Sequence, residues 1–175
     1  MTDRVTKAAL KQSIQGSQVH PRVERALFDI ADTVMPDALA TEAGAGITGG
    51  TGTVFQSSVS EEGGIITTKI MIDLTGLASS TTDLDIIGTG ASAAYIGQIN
   101  ASENGTILAG KVTCLEVPVG GVTDIDLYAA DEATGVFDGG IAALTETALI
   151  TAGGAWTLAL QKALGAVPAD GQYLY

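Results

Sequence analysis

The side chains that could support nucleophilic or metal chemistry are few in this chain of 175 residues. There is one histidine, His20, and one cysteine, Cys114. A thiol nucleophile needs a basic partner such as histidine, but Cys114 falls in an aliphatic run that predicts a buried strand, where a thiol is inert. A single histidine excludes a two-histidine metal site, and a single cysteine excludes an internal disulfide. We therefore predict no catalytic residue and no cofactor.

Carboxylates are abundant, and three close pairs of them are candidates for holding a cation. The pairs are Asp83 with Asp85, Asp124 with Asp126, and Asp131 with Glu132. Ca²⁺ takes about six to eight oxygen ligands from a tight loop, and no Asp-x-Asp-x-Asp-Gly loop is present. Strand alternation would put the first two pairs on a solvated face. The acids therefore predict an acidic surface, with a bound cation as the alternative.

A glycine motif invites a comparison with dinucleotide sites. The segment Gly44-Ala-Gly-Ile-Thr-Gly49 matches the Gly-x-Gly-x-x-Gly pattern. A dinucleotide site needs a strand before this motif and a helix after it, so that the helix N-terminus meets the pyrophosphate. Here a predicted helix precedes the motif and a predicted strand follows it. Residues 44–52 are therefore predicted to be a flexible, glycine-rich hinge.

Charge and glycine divide the chain into an N-terminal arm and a body. The first 25 residues hold five basic and two acidic side chains, whereas residues 26–175 hold three basic and 18 acidic ones. Five dispersed cations without interleaved aromatic residues do not make a nucleic-acid site. No apolar run approaches the roughly 18 residues of a membrane span. We predict neither a nucleic-acid partner nor a membrane partner.

The arm, residues 1–43, contains one glycine and is predicted to be helical. Pro21 is typical of a first helical turn, and Pro36 stops the helix. Between them runs one apolar stripe at i, i+4, i+7 and i+11, formed by Val23, Leu27, Ile30 and Val34. So short a helix cannot bury the stripe alone, and it must dock on the body or on another chain. The predicted contact residues are this stripe and the basic residues Arg4, Lys7, Lys11, Arg22 and Arg25.

The body, residues 53–175, alternates apolar and polar residues with turn signals at intervals of roughly 8–12 residues, which predicts a mainly β fold. An antiparallel β-sandwich or jelly-roll-like body is the expected architecture. The clearest strand is 65–74, with its core face formed by Ile66, Ile70, Ile72 and Leu74. Further strands are predicted at 53–59, 95–99, 107–117 and 123–128.

Three further segments of the body lead to predictions of local structure. Asn104-Gly105 predicts a hairpin turn. Residues 141–149 and 155–165 fit a helix or a strand equally, because Trp156, Leu158 and Leu160 alternate. The final Gln172-Tyr-Leu-Tyr175 predicts a strand, and its abrupt end suggests that the natural chain continues.

Several body segments resemble a family of small structural proteins of marine tailed bacteriophages. The segments are Gly50-Thr-Gly-Thr-Val-Phe55, residues 62–77, residues 125–135 and residues 168–175. Members of that family are virion components, with head decoration (cement) as the role that the resemblance implies. It therefore implies a non-enzymatic, capsid-associated β-domain that binds the major capsid protein.

From the resemblance we expect a homo-oligomer, a trimer, on the outside of a phage head, made in the host cytoplasm. A short chain rich in strands also gains by pairing its edges. The alternative is a receptor- or glycan-binding domain of a tail fibre or surface protein. Exposed aromatic residues would favour a glycan-binding domain, and a threefold apolar contact would favour the cement protein. An enzyme is disfavoured because no catalytic constellation is present.

Overall fold

Short antiparallel strands make up most of the regular structure, which confirms the predicted mainly β class. The computed structural model describes Val23 and residues 42–79, 82–121, 123–151 and 154–175. In chain order the elements are α1 (Ala45–Thr48), β1 (Val54–Glu62), β2 (Ile65–Asp73), β3 (Gly97–Gln98), α2 (Ala101–Asn104), β4 (Lys111–Thr113), β5 (Leu127–Ala130), a 3-10 helix (Ile141–Ala143), β6 (Glu146–Ile150), β7 (Gln161–Ala163) and β8 (Tyr173–Leu174). Within these ranges the strands form three sheets, β1-β2, β3-β8-β5-β6 and β4-β7.

The β1–β2 ribbon is the longest regular feature, with nine residues in each strand. Gly63 and Gly64 join the strands with φ values of +59° and +80°, the positive values that a tight hairpin turn requires at both positions. Along β2 the predicted alternation is confirmed, since Ile70 and Ile72 are half-buried and Met71 is exposed. Ile66 is the exception among the predicted core residues, because it lies next to the ribbon tip and is 36% exposed.

The four-stranded sheet carries the central part of the core. Its apolar cluster consists of Ile99, Ala129, Leu149 and Leu174, all buried. Ile70 of the ribbon and Leu164 beside β7 pack against this cluster, so both two-stranded sheets contact the central one. The predicted C-terminal strand is confirmed, because β8 pairs with both β3 and β5.

The β4–β7 sheet packs beside β6 through a second cluster of Cys114, Ile150 and Trp156. The Trp156 Nε1–H donates to the Ile125 carbonyl at 2.7 Å, and Lys162 Nζ lies 4.1 Å from the centre of the ring. Both β4 and β7 have only three residues. The predicted strand over 107–117 is therefore much shorter than expected, and residues 141–165 contain two strands and a 3-10 helix.

The sequence predicts a flexible hinge at residues 44–52, but residues 44–50 are fixed to the body. The Gly44 N–H donates to the Tyr95 carbonyl at 2.9 Å, and the Gly46 N–H donates to the Ala93 carbonyl at 2.8 Å. Ile47 of α1 is buried in a third cluster with Ile86, Ala94 and Ile141. A Cβ on Gly46 would overlap the Ser92 carbonyl oxygen. These glycines therefore allow backbones to approach closely and do not supply slack.

The Asn104-Gly105 pair ends a helix and does not form the predicted hairpin turn. Asn104 is the last residue of α2, and Gly105 follows it with a φ of +65°. Glycine with positive φ is as typical of a helix end as of a hairpin, so the dipeptide alone could not separate the two.

Candidate interaction surface

The predicted arm contacts fall almost entirely outside the described residues. Those outside are Arg4, Lys7, Lys11, Arg22, Arg25, Leu27, Ile30 and Val34, together with His20. Val23, the first residue of the apolar stripe, is helical and 50% exposed. The body therefore leaves at least this residue of the stripe half uncovered within a single chain.

The ribbon presents a polar outer face and an apolar tip. Direct pairing puts Gln56 opposite Met71 and Ser58 opposite Lys69 on the outer face. At the tip, Ile65 pairs with Glu62 and is strongly exposed, and Ile66 pairs with Glu61. The tip thus combines two aliphatic side chains with two carboxylates, and of the two aliphatic residues Ile66 lies close to Gly105 whereas Ile65 is the more exposed.

Asn104 attaches the ribbon to the body. Its side chain is buried, its Oδ1 accepts the Asn100 N–H at 2.8 Å, and its Nδ2 donates to Thr68 Oγ1 at 3.0 Å. The Asn100 side chain in turn caps α2 by accepting the Ser102 N–H. Because Thr68 belongs to β2, this one amide joins α2 to the inner face of the ribbon.

Replacing Asn104 with alanine is expected to cost about 1–3 kcal/mol, because it removes a buried amide and leaves the partly buried Asn100 N–H without an acceptor. Thr68→Ala removes only the contact to the ribbon, so the double variant should be less destabilised than the sum of the two single variants. Urea unfolding gives the free energies, and hydrogen exchange of the β2 amides reports release of the ribbon. Strictly additive effects would show that the Asn104–Thr68 contact does not hold the ribbon.

A second apolar surface lies on the two loops at one end of the β4–β7 sheet. We call it the apolar loop end, and it consists of four exposed aliphatic residues, Leu115, Val117, Val119 and Leu158. The Ala159 N–H donates to the Cys114 carbonyl at 2.9 Å, which holds the loop before β7 beside the loop after β4. Trp156, two residues before Leu158, is buried, and its backbone N–H donates to the Thr123 carbonyl at 2.9 Å.

Sequence reasoning did not find the apolar loop end. Val117 and Val119 flank Pro118 and precede Gly120-Gly121, and this combination of residues is typical of a turn. Apolar residues in a turn have no helical or strand period, and periodicity was the basis of the predicted contacts. The signal that could have indicated this surface is the presence of four aliphatic residues in segments without regular structure.

The body surface is strongly acidic. Residues 42–175 contain fifteen aspartates and glutamates against three lysines. Within the described ranges the one ion pair joins Lys162 to Asp124, with 4.0 Å between Nζ and Oδ1. Hydrogen bonds from the Thr145 hydroxyl and N–H lower the pKa of Glu132, and the equivalent bonds from Thr75 lower the pKa of Asp73.

The carboxylate pairs do not lie on strand faces as predicted. Asp83 and Asp85 lie in a turned segment in which Leu84 has a φ of +68°, and Asp124 and Asp126 precede β5. Asp131 and Glu132 follow β5, where Asp131 Oδ1 accepts from Gln172 Nε2 at 2.9 Å. In the part of the chain that the structure describes, no three His, Cys, Asp or Glu side chains gather as metal ligands would.

Two shallow grooves lie on the body. One, of about 330 Å³, runs along β6 and beside Lys162 and Gly165. The other, of about 310 Å³, is lined mainly by apolar residues and by Asp170, whose Oδ1 accepts the Ala101 N–H at 2.7 Å. The Asp170 carboxylate therefore has a structural partner at the start of α2.

Aromatic side chains are kept away from the surface. Within the described ranges, every tyrosine, phenylalanine and tryptophan is buried or half-buried. Tyr95 and Tyr173 pack edge to face with 5.0 Å between ring centres. The Tyr175 hydroxyl donates to the Glu132 carbonyl at 2.8 Å. The exposed apolar surface is thus aliphatic.

Comparison with known proteins identifies no relative of this chain. No protein-family model, curated protein or solved structure matches the chain. None of the described helices has both the length and the apolar character to cross a membrane.

Proposed function

We propose that the chain is a non-enzymatic structural protein of a phage virion, a decoration (cement) protein that binds the outside of the head and stabilises it. Its partners are the major capsid protein and further copies of itself, arranged as a trimer. It is made in the host cytoplasm and then held on the capsid surface. The likeness of its body segments to structural proteins of marine tailed phages gives this proposal its direction.

The observation that carries the proposal is the kind of apolar surface that the body exposes. Aliphatic side chains are exposed at the ribbon tip and at the apolar loop end, whereas the described aromatic residues are withdrawn. Grouped exposed apolar residues on a globular body are typical of protein–protein contact. A glycan-binding domain, one form of the alternative, would expose aromatic rings, so the same observation favours the decoration protein over a glycan-binding domain.

The proposed architecture of the body is a sandwich in which the two small sheets lie against the four-stranded sheet. Ile70 of β2 and Leu164 beside β7 contact the cluster that contains Ala129 and Leu149. A layered β-body of this kind is stiff, because side chains of different sheets interlock at high density. Stiffness suits a protein that must hold neighbouring capsid subunits in place.

Adding the purified full-length chain to undecorated phage heads tests the proposal. We expect saturable binding with a fixed number of copies per head, seen as density on the outer surface in a particle reconstruction. Deleting residues 1–41 should abolish this binding, because the predicted contact residues are removed. The cut is made before Ala43, which packs against the cluster that contains Ile47.

The control for this deletion is the fold of the shortened chain, followed by circular dichroism and thermal unfolding. Full occupancy of heads by a folded chain that lacks residues 1–41 would show that the arm is not the anchor. Absence of the full-length chain from the outside of intact particles would contradict the decoration role itself. Specific binding to host-cell glycans would favour the tail-fibre alternative.

A further inference from the structure

We propose that Asn104 is a site of spontaneous deamidation that the β1–β2 ribbon protects, so that the reaction proceeds when the ribbon tip opens and then hinders its return. The reaction converts the side-chain amide into a carboxylate and consumes water, without an enzyme. The inference goes beyond the proposed function, and it rests on the contacts between β2 and the end of α2.

The Asn104-Gly105 pair has the chemistry for this reaction. The Gly105 backbone nitrogen loses its proton to water and attacks Asn104 Cγ, which forms a cyclic imide, and the side-chain nitrogen leaves as ammonia. Water then opens the imide to aspartate or to isoaspartate, in which the main chain runs through Cγ. Glycine favours the attack, because it has no Cβ to obstruct the approach of the backbone.

The fold restrains both reacting groups. The Gly105 N–H donates to the Ala101 carbonyl at 3.0 Å. The Asn104 amide is buried, with its Oδ1 accepting the Asn100 N–H at 2.8 Å and its Nδ2 donating to Thr68 Oγ1 at 3.0 Å. An amide that is fixed at both ends and shielded from water does not turn toward the attacking nitrogen.

Two contacts that protect this pair come from β2. Thr68 provides the acceptor for the Asn104 amide, and Ile66 covers Gly105, with its Cδ1 3.1 Å from the position that a Cβ on Gly105 would take. Movement of β2 away from the body therefore frees the amide and uncovers the glycine together. The four residues of α2 are too few to form a stable helix by themselves, so its last residue depends on such tertiary contacts.

The part of the ribbon nearest these contacts has little support of its own. Residues 60–67, which include the Gly63-Gly64 turn, are all exposed, whereas Val59 is buried. Segments with few buried contacts open locally at a lower free energy than the whole fold. Opening of the ribbon tip thus exposes Asn104 and Gly105 in a molecule whose core is otherwise intact.

The products of the reaction disfavour the return of the ribbon. A carboxylate at position 104 has lost the Nδ2 donor to Thr68, and burying a charge costs more free energy than burying an amide. Isoaspartate also lengthens the main chain where α2 ends, which disturbs the bond from Gly105 to Ala101. Asn104 is therefore a one-way record of ribbon opening.

Incubation of the full-length chain at neutral pH, followed by peptide mapping with mass spectrometry, tests this site. The sequence contains two asparagines, and Asn100 is followed by alanine, so it serves as an internal control. We expect Asn104 to react about tenfold more slowly in the native chain than in the same chain unfolded in urea. Thr68→Ala should raise the native rate roughly fivefold, the factor that corresponds to one net hydrogen bond.

Trp156→Phe is the matched control for Thr68→Ala. It removes one hydrogen bond, to the Ile125 carbonyl, without altering a residue of the ribbon or of α2, so the rate at Asn104 should not change. Asn104→Asp reproduces one of the two products. Hydrogen exchange of the β2 amides in the Asn104→Asp chain should be roughly tenfold faster than in the unmodified chain.

Equal rates in the native and unfolded chains would overturn the inference, because the fold would then give no protection. Equal acceleration by Thr68→Ala and Trp156→Phe would also overturn it, since global unfolding and not the ribbon would control the reaction. An Asn104→Asp chain whose β2 amides exchange as slowly as those of the unmodified chain would contradict the one-way effect. None of these measurements involves a phage head, so they stand or fall separately from the decoration role.

Discussion

Replacing Gly46 with alanine is expected to destabilise the body by about 3 kcal/mol. The new methyl group would overlap the Ser92 carbonyl oxygen and would lie 2.9 Å from the Ala93 carbonyl oxygen. Both obstacles are backbone atoms, so relief requires the two segments to separate. Separation would weaken the Gly46–Ala93 hydrogen bond and the bond from the Thr89 N–H to the Gly46 carbonyl, each 2.8 Å long.

Gly140→Ala is the matched control for this substitution. Gly140 has a φ of −67°, which any residue adopts, and a Cβ there would meet nothing nearer than Asp85 Oδ1 at 3.7 Å. Its effect should stay within about 0.5 kcal/mol, as for a surface substitution without a special feature. Both free energies come from urea unfolding. A Gly46→Ala chain as stable as the unmodified one would restore the interpretation of this segment as a flexible hinge.

Replacing Trp156 with alanine is expected to cost about 3–5 kcal/mol, the range for removing a large buried aromatic side chain. Trp156 is buried with Cys114 and Ile150, and Val112 of β4 and Leu127 of β5 pack against the same cluster. The substitution therefore leaves a cavity where three strands meet. Urea unfolding measures the loss of stability.

Trp156→Phe separates packing from hydrogen bonding at the same position. Phenylalanine keeps most of the apolar contact but leaves the Ile125 carbonyl without its donor, a loss of about 1–2 kcal/mol. Circular dichroism must follow the unfolding, since Trp156 is the single tryptophan and its fluorescence disappears with it. Equal stability of the alanine and phenylalanine variants would show that the ring contributes little packing.

Strand β2 shows what could be predicted from the sequence. Its alternation is strong enough to specify both its extent and its two faces, because a one-residue shift would exchange every side chain between them. Ile66 lies on the predicted face, with its Cδ1 close to Gly105, but it remains 36% exposed near the ribbon tip. Periodicity identifies a face but does not say how completely the body covers it.

The glycine segment and Asn104-Gly105 show why other parts could not be predicted. Glycine allows a flexible segment, a positive φ or a close approach of two backbones, and only the tertiary neighbours decide which of these occurs. For Gly46 the decisive neighbours are Ser92 and Ala93, more than forty residues away in the chain. The buried amide of Asn104 likewise depends on Thr68, with which it shares no sequence signal.

The exposed apolar surface of the body was not predictable from periodicity. The amphipathic period of the arm predicts a docking element, and this stays a prediction because Leu27, Ile30 and Val34 lie outside the described residues. The apolar loop end has no period, and the loops that carry Leu115 and Leu158 come together only through the pairing of β4 with β7. A contact assembled from two distant loops requires the fold to be known first.

The way the chain enters the body determines how a force applied to the chain is transmitted to the core. Ala43 packs against the Ile47 cluster, and Gly44 is tied to Tyr95 by a hydrogen bond directly after it. Tension applied at Ala43 therefore reaches the core directly. It loads the Gly44–Tyr95 and Gly46–Ala93 bonds together with the packed cluster. The entry of the chain into the body at residues 43–46 is thus a rigid mechanical coupling, and strain that reaches Ala43 passes directly into the packed core.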